Sequence, residues 1–207
     1  MPNVRVTTNF FLVLTLVADA VVVTAAVFGI VALVSRSARR ALASAARFIG
    51  PQGVLVAWIV SIATMLGSLY YSEHAGFIPC ELCWYQRIVM YPLVIVLGVG
   101  WLRRDPKVWI TAGVFVVIGA PLSLYHWLVE RVPAFAESSS CSIAVPCTTP
   151  YFQKLGFVTL AWMCLSSFLL IGTLLAFSAS AQGLGRRSGP STTTVDDESP
   201  FEEAVVG

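Results

Sequence analysis

The sequence predicts an all-α integral membrane protein, and three observations carry that prediction. Of its 207 residues, 57% are apolar and only 12% charged, about half the charged share of a soluble domain. The mean hydropathy is +0.80. The charges also leave five long stretches almost empty, residues 10–34, 53–72, 84–102, 108–128 and 155–182, which contain only Asp19 and Arg87 among them. A helix of about 20 apolar residues crosses a hydrocarbon core of about 30 Å. Continuous apolar runs, rather than alternation, select helices over a barrel, and a helix satisfies its own backbone groups in lipid. Disorder is excluded for most of the chain, because it requires low hydrophobicity and high charge. Nucleic acid is disfavoured as a partner, because a net charge of +2 comes with no dense basic face.

The first stretch is read as an uncleaved transmembrane helix, followed by a basic cytoplasmic loop up to residue 50. A cleaved signal, with the Ala/Ser-rich residues 41–46 near the cleavage point, is the competing reading. Cleavage would leave the next span starting outside with Arg47 on the wrong side, so the anchor is preferred. Asp19 sits near the middle of this span, where a carboxylate is costly and by default functional. The plainer alternative, which we favour, is that it faces a neighbouring helix or lets the segment lie shallowly. The remaining four stretches follow as spans two to five. After them, residues 183–207 are rich in Gly, Ser and Thr and then acidic, which reads as a disordered cytoplasmic tail.

Orientation follows from the 13 basic residues. Arg36, Arg39, Arg40 and Arg47 lie between spans one and two, Arg103, Arg104 and Lys107 between three and four, and Arg186 and Arg187 after five. The opposite side has only Arg5, Arg131 and Lys154. This bias predicts that the N-terminus and the loops at 73–83 and 129–154 face outward.

Four of the five cysteines fall in those two outward loops. Disulfides persist outside the cytosol and not within it, so this partition is itself a functional signal. Cys80 and Cys83 form a C-x-x-C motif. Its loop is too short to constrain much unfolded chain, which points to redox cycling or metal binding. Pro79 suits a helix start, placing both sulfurs near a first turn whose exposed N–H groups favour thiolate. Arg87 then lies one turn below Cys83 on the same face. Cys141 and Cys147 form a C-x5-C in a Ser- and Pro-containing loop, expected to be mobile and accessible. Read alone, this pair is equally a local structural disulfide or a catalytic one. A four-cysteine zinc site drawn from both loops is a further alternative, although five intervening residues exceed the usual spacing. Cys164, inside the last span, reads as a small buried apolar residue.

The segment Cys80-Glu-Leu-Cys-Trp-Tyr-Gln-Arg87 strongly resembles the disulfide bond formation protein B family, DsbB, and in particular its Gram-positive BdbC branch. The resemblance runs from about residue 54 to 177 and includes 76–92, Tyr125-His126, Val132-Pro133 and Val145-Pro-Cys147. It implies a four-helix transmembrane redox bundle over residues 51–182, with residues 1–50 an addition to it. It also implies a thiol:quinone oxidoreductase of the bacterial plasma (inner) membrane. Such an enzyme reoxidises a thioredoxin-like extracytoplasmic thiol oxidase of the DsbA/BdbD type and passes electrons to the membrane quinone pool, menaquinone or ubiquinone. By position, the resemblance makes Cys141 and Cys147 the pair that meets the partner and Cys80 and Cys83 the quinone-coupled pair. Cys83 is then nearest the quinone, with Arg87 beside the ring oxygen. Some family members have Glu where Gln86 stands, so no acid there is taken as essential.

His126 is read either as a proton relay, its pKa lying near neutrality, or as an interfacial hydrogen-bonder, the favoured reading. Pro92 and Pro121 fall within helices and are expected to bend them. Two rival functions remain at this stage. A vitamin K epoxide reductase-like enzyme shares the bundle and the quinone logic, but that family typically places its loop pair before the C-x-x-C rather than after it. The other rival is a zinc-bound or disulfide-stapled membrane scaffold without turnover.

Overall fold

The computed structural model describes residues 2–137, 141 and 145–187. Among them the chain is helical, with no strand beyond an isolated bridge between Lys154 and Val158. Helix α1 (Pro2–Val34) is followed by α2 (Arg36–Leu69), which passes into a π-helical turn at Tyr70–His74. Then come α3 (Glu81–Leu102), α4 (Val108–Arg131), the short α5 (Pro133–Glu137) and α6 (Leu160–Arg187). Among the described residues, five helices are long and apolar enough to cross a membrane, at the places the charge gaps indicate.

One expected loop is helix instead. Only Ser35, extended at φ −105° and ψ 124°, separates α1 from α2, so the arginines of residues 36–47 stand on the first turns of α2. Charge counting reads basic residues as a loop, but the intervening alanines and leucine are strong helix formers. Their apolar side is also used, because Ala38, Ala46, Gly50 and Gly53 are buried. Ser178 Oγ on α6 donates to the Gly50 carbonyl at 3.0 Å. At the other end of the chain, α6 continues to Arg187, and the expected tail from residue 188 onward lies outside the described residues.

Helices α2, α3, α4 and α6 pack side by side in a closed ring, and α1 lies outside it against α2 and α6. Lipid removes the hydrophobic drive between helices, so close packing of small residues and interhelical hydrogen bonds hold the bundle. Both are present. The core gathers Ala57, Met90, Leu93, Leu97, Ala112, Phe168 and Ile171, and the Phe168 ring occupies the space a side chain at Gly119 would take. Thr64 Oγ1 donates to Ser167 Oγ at 3.0 Å across α2 and α6. Asp19 accepts from Trp162 Nε1 at 2.9 Å, so the costly carboxylate of the first span faces a neighbouring helix. Pro92 and Pro121 are both inside helices that continue past them.

At the cysteine-bearing end a second cluster forms around Cys80, Leu82, Val129 and Cys147. The two connecting segments are tied together there. Phe77 stacks on Tyr151 with ring centroids 4.3 Å apart, and Tyr151 Oη donates to the Ile78 carbonyl at 2.6 Å.

Candidate redox site

Cys80 is the N-cap of α3, extended at φ −73° and ψ 173°, and its sulfur accepts from the Cys83 backbone N–H at 3.3 Å. A side chain that caps a helix must lean over the first turn, and this brings the Cys83 sulfur to 2.6 Å from that of Cys80. Both cysteines are free thiols here. The Cys83 thiol hydrogen-bonded to it, and then the His126 ring, hold Cys80 well below the usual thiol range, against the opposing effect of burial.

The partner of Cys80 on α4 is His126, only 3% exposed, with Nε2 3.6 Å from the Cys80 sulfur. The other ring nitrogen, Nδ1, donates to Gln86 Oε1 at 3.3 Å. An amide oxygen can only accept, so this bond puts the ring proton on Nδ1 and leaves Nε2 free to take the Cys80 proton. Nε2 in turn lies 4.0 Å from Glu130 Oε1, one turn further along α4. Glu130 is itself fixed by Thr159 Oγ1, which donates to Oε2 at 2.6 Å. A buried thiol, a base and a buried carboxylate thus stand in series.

Cys141 and Cys147 are joined in a disulfide with Cα atoms 6.0 Å apart. The accessible loop expected from composition is not what this segment forms at its second cysteine. Cys147 is 2% exposed and packed in the cluster with Cys80, while Cys141 is half-buried. Tyr151, four residues after Cys147, is tied to residues 77–78 just before the start of α3. Cys147, Cys80, His126 and Glu130 line one small cavity of about 20 Å³, near the size of a single water. With two of the four loop thiols in a disulfide, the four-cysteine zinc site is not available in this state. Cys80, Cys83 and His126 do place three ligand atoms within 4.8 Å of one another, the one set among the described residues able to hold a metal ion.

Cys83 also lines a second, much larger cavity of about 360 Å³, within the range of small-molecule pockets. Its walls are predominantly apolar, with Met90, Tyr91, Met163 and Leu170 among them, and two polar groups converge beside Cys83. One is Gln86, a buried side chain whose Nε2 has no hydrogen-bond partner among the described residues. The other is Arg87, whose Nη2 donates to the Ser68 carbonyl on α2 at 3.0 Å and whose guanidinium lies 5.3 Å from the Trp84 ring centroid. Ser68 lies two residues before the π turn, a feature that often marks functional sites. The guanidinium is therefore tied to α2 at the cavity wall.

The family model for "Disulfide bond formation protein DsbB" matches residues 47–177, more than half of the chain. The chain belongs to the DsbB family. Similar curated proteins agree. "Disulfide bond formation protein C" of Bacillus subtilis is 46% identical over 114 residues, 55% of this chain and 83% of the relative. "Probable disulfide formation protein C" of Halalkalibacterium halodurans is 42% identical over 118 residues, 57% and 86% of the two chains. A "Probable disulfide formation protein" of Oceanobacillus iheyensis is 40% identical over 132 residues, 63% and 90%. No solved structure matches the chain.

This DsbB family member is a disulfide oxidoreductase and a multi-pass membrane protein. All four loop cysteines expected to act meet at one end of its bundle. Arg87 shares the larger cavity with Cys83. Sequence reasoning left His126 between two roles and did not join it with Gln86 and Glu130. The available signal was the i, i+4 spacing of His126 and Glu130, which stacks them on one face of α4. No sequence pattern tells that this face turns toward Cys80.

Proposed function

We propose that this protein is a thiol:quinone oxidoreductase that reoxidises a thioredoxin-like thiol oxidase of the DsbA/BdbD type, outside the plasma membrane, and passes the electrons to quinone. The observation that carries this reading is the split surroundings of the C-x-x-C pair. Cys80 shares the small cavity with Cys147, His126 and Glu130, whereas Cys83 lines both that cavity and the large apolar one. The charge bias of the loops supports an outward-facing cysteine end.

The exchange steps balance as follows. The partner's dithiol attacks Cys141–Cys147, so the partner leaves oxidised and two thiols remain on this chain. With Cys80–Cys83 as a disulfide, the Cys147 thiolate attacks the Cys80 sulfur, and the Cys80–Cys83 bond breaks with Cys83 leaving as a thiolate. Arg87, one turn away, supplies a positive charge on the side of that leaving group. Cys141 then attacks Cys147 in the mixed disulfide, regenerating Cys141–Cys147 and releasing Cys80. His126 Nε2 accepts the proton of Cys80 as this pair is next oxidised, with Glu130 balancing the charge.

The larger cavity fits a quinone on its own evidence: an apolar enclosure, an unpartnered buried amide donor at Gln86 and a cation at Arg87. Gln86 and Arg87 would hold the ring oxygens, and Met90 and Tyr91 would face the ring. When bound, quinone supplies a sink for two electrons and two protons as Cys80–Cys83 closes to a disulfide.

Stopped-flow absorbance in proteoliposomes tests the reading. One quinone should be reduced per partner disulfide formed, and none with Cys147→Ser. Partner oxidation without any change in quinone absorbance would contradict it. For orientation, Arg104→Cys should resist an impermeant maleimide added outside intact cells, while Cys141 should react after reduction; the reverse pattern would invert the proposed topology.

A further inference from the structure

Helix α1 lies outside residues 47–177, where the family model matches, yet it borders the cavity that contains Cys83 and Arg87. Phe11, Leu14, Thr15, Ala18 and Val21 of α1 all line it. Their spacing is that of one face of a helix. The opposite face, with Val13 and Val23, is exposed.

Three contacts fix this face in register. The Phe11 ring lies against Gly67 on α2, where an added Cβ would come within 2.7 Å of it. Tyr71 Oη donates to Thr8 Oγ1 at 3.2 Å, and the Tyr71 and Phe11 rings are 6.2 Å apart. Two turns further along, Asp19 accepts from Trp162 on α6. Gly67 and Ser68 belong to the last turn of α2 and Tyr71 to the π turn that continues it, and Ser68 is the residue whose carbonyl holds the Arg87 guanidinium. Phe11 and Arg87 are thus docked on the same part of α2, and both line the cavity.

We propose that α1 is a built-in wall of the electron-acceptor site and that Phe11 sets the size of the ring that can lie beside Cys83 and Arg87. This rests on the reading of the larger cavity as the quinone site. Without α1, the groove between α2 and α6 would be closed only by lipid, which conforms to any occupant. A helix pinned by a close Gly–Phe contact and two hydrogen bonds offers a fixed boundary, so shape selection becomes a property of the protein. Ligands of this chemistry are planar apolar rings with carbonyl oxygens at their edge, and they differ mainly in whether the ring system is single or fused.

The test is equilibrium binding to the full chain in lipid nanodiscs, read by quenching of tryptophan fluorescence, with menadione as the fused-ring probe and decylubiquinone as the single-ring probe. Phe11→Ala should raise the ratio of menadione to decylubiquinone affinity by about tenfold, and Phe11→Trp should lower it by a similar factor. Opposite shifts from the two variants are not a result that general loss of structure produces. Val13→Ala, on the exposed face of α1, should leave the ratio as in the native chain. A ratio unmoved by both Phe11 variants, with Arg87→Gln weakening both probes, would overturn the wall and leave the quinone site standing. Failure of the native chain to bind either probe would overturn the quinone site itself, and this inference with it.

Discussion

The two sulfurs of the C-x-x-C motif are 2.6 Å apart and both border the small cavity, yet only Cys83 reaches the large one. Cys80 looks onto a pocket about the size of one water, shared with a histidine, a carboxylate and the sulfur of Cys147. Cys83 opens onto some 360 Å³ of mostly apolar space with an arginine and a free amide donor. The backbone explains how neighbours in sequence can be so divided. Cys80, as N-cap, is directed back over the helix end, while Cys83 sits one turn in and faces the bundle. Thiol–disulfide exchange needs a proton acceptor and another sulfur, whereas electron delivery to an apolar carrier needs a dry cavity. One helical turn separates the two requirements.

Substitution of the sulfurs should break this division most severely. Cys83→Ser should abolish quinone reduction with either the protein partner or a small dithiol as donor. Cys141→Ser should stop turnover with the partner but preserve turnover with the small dithiol, which can reach Cys80–Cys83 directly. Identical behaviour of the two variants with the small dithiol, followed by quinone absorbance, would erase the distinction between the pairs.

Changes confined to the larger cavity come next in size. Arg87→Gln should weaken quinone binding about tenfold or more, the scale of one hydrogen bond to a charged group. Arg87→Lys should weaken it less, keeping the charge but losing the planar fork. Gln86→Leu should act similarly to Arg87→Gln if its Nε2 holds a ring oxygen. In all three variants the rate of exchange with the partner should hold, and a matching loss there would mean that the two sides of the site are not separable.

The smallest expected effect concerns protonation on the Cys80 side. A lowered pKa means that the thiolate is fully present above that value and is lost only as pH falls through it. Alkylation of reduced Cys80 by iodoacetamide, followed by peptide mass, should therefore stay nearly level from about pH 8 to about pH 6, where an ordinary thiol of pKa about 8.5 loses most of its rate. His126→Phe should move the midpoint up. Cys83→Ala should move it further, because the Cys83 hydrogen bond is the larger cause. A midpoint in the ordinary thiol range for the native chain would remove the rationale for His126.

How much of this could be seen in the sequence differs by region for physical reasons. The spans were legible because lipid tolerates few charges, so long empty stretches leave little choice of structure. The cysteine pairs were legible because thiols are rare and their compartment is constrained. The helical start of α2 was hidden because arginines at a membrane edge mark a side of the bilayer without revealing backbone conformation. The Cys80–His126–Gln86 contacts depend on how α3 and α4 are rotated against each other, which residues spaced along one chain do not encode. Burial of Cys147 is hidden for a related reason, since Cys147 packs with Cys80, Leu82 and Val129, which are far from it in sequence. The cavity wall from α1 required the three-dimensional docking of Phe11 on Gly67, neither of which stands out alone.

The central claim, that Cys80 receives the exchange and Cys83 faces the acceptor, is tested most directly by trapping the mixed disulfide. In the double variant Cys83→Ser, Cys141→Ser the bond between Cys80 and Cys147 has no resolving thiol on either side, and the partner's disulfide supplies the oxidant that forms it, so it should accumulate. After incubation with the oxidised partner and acid quenching, peptide mass mapping should find Cys80 linked to Cys147 as the dominant interloop bond. The double variant Cys80→Ser, Cys141→Ser should give no comparable linkage through Cys83. Recovery of a Cys83–Cys147 bond from Cys80→Ser, Cys141→Ser, at the level at which Cys80–Cys147 forms in Cys83→Ser, Cys141→Ser, would contradict the account.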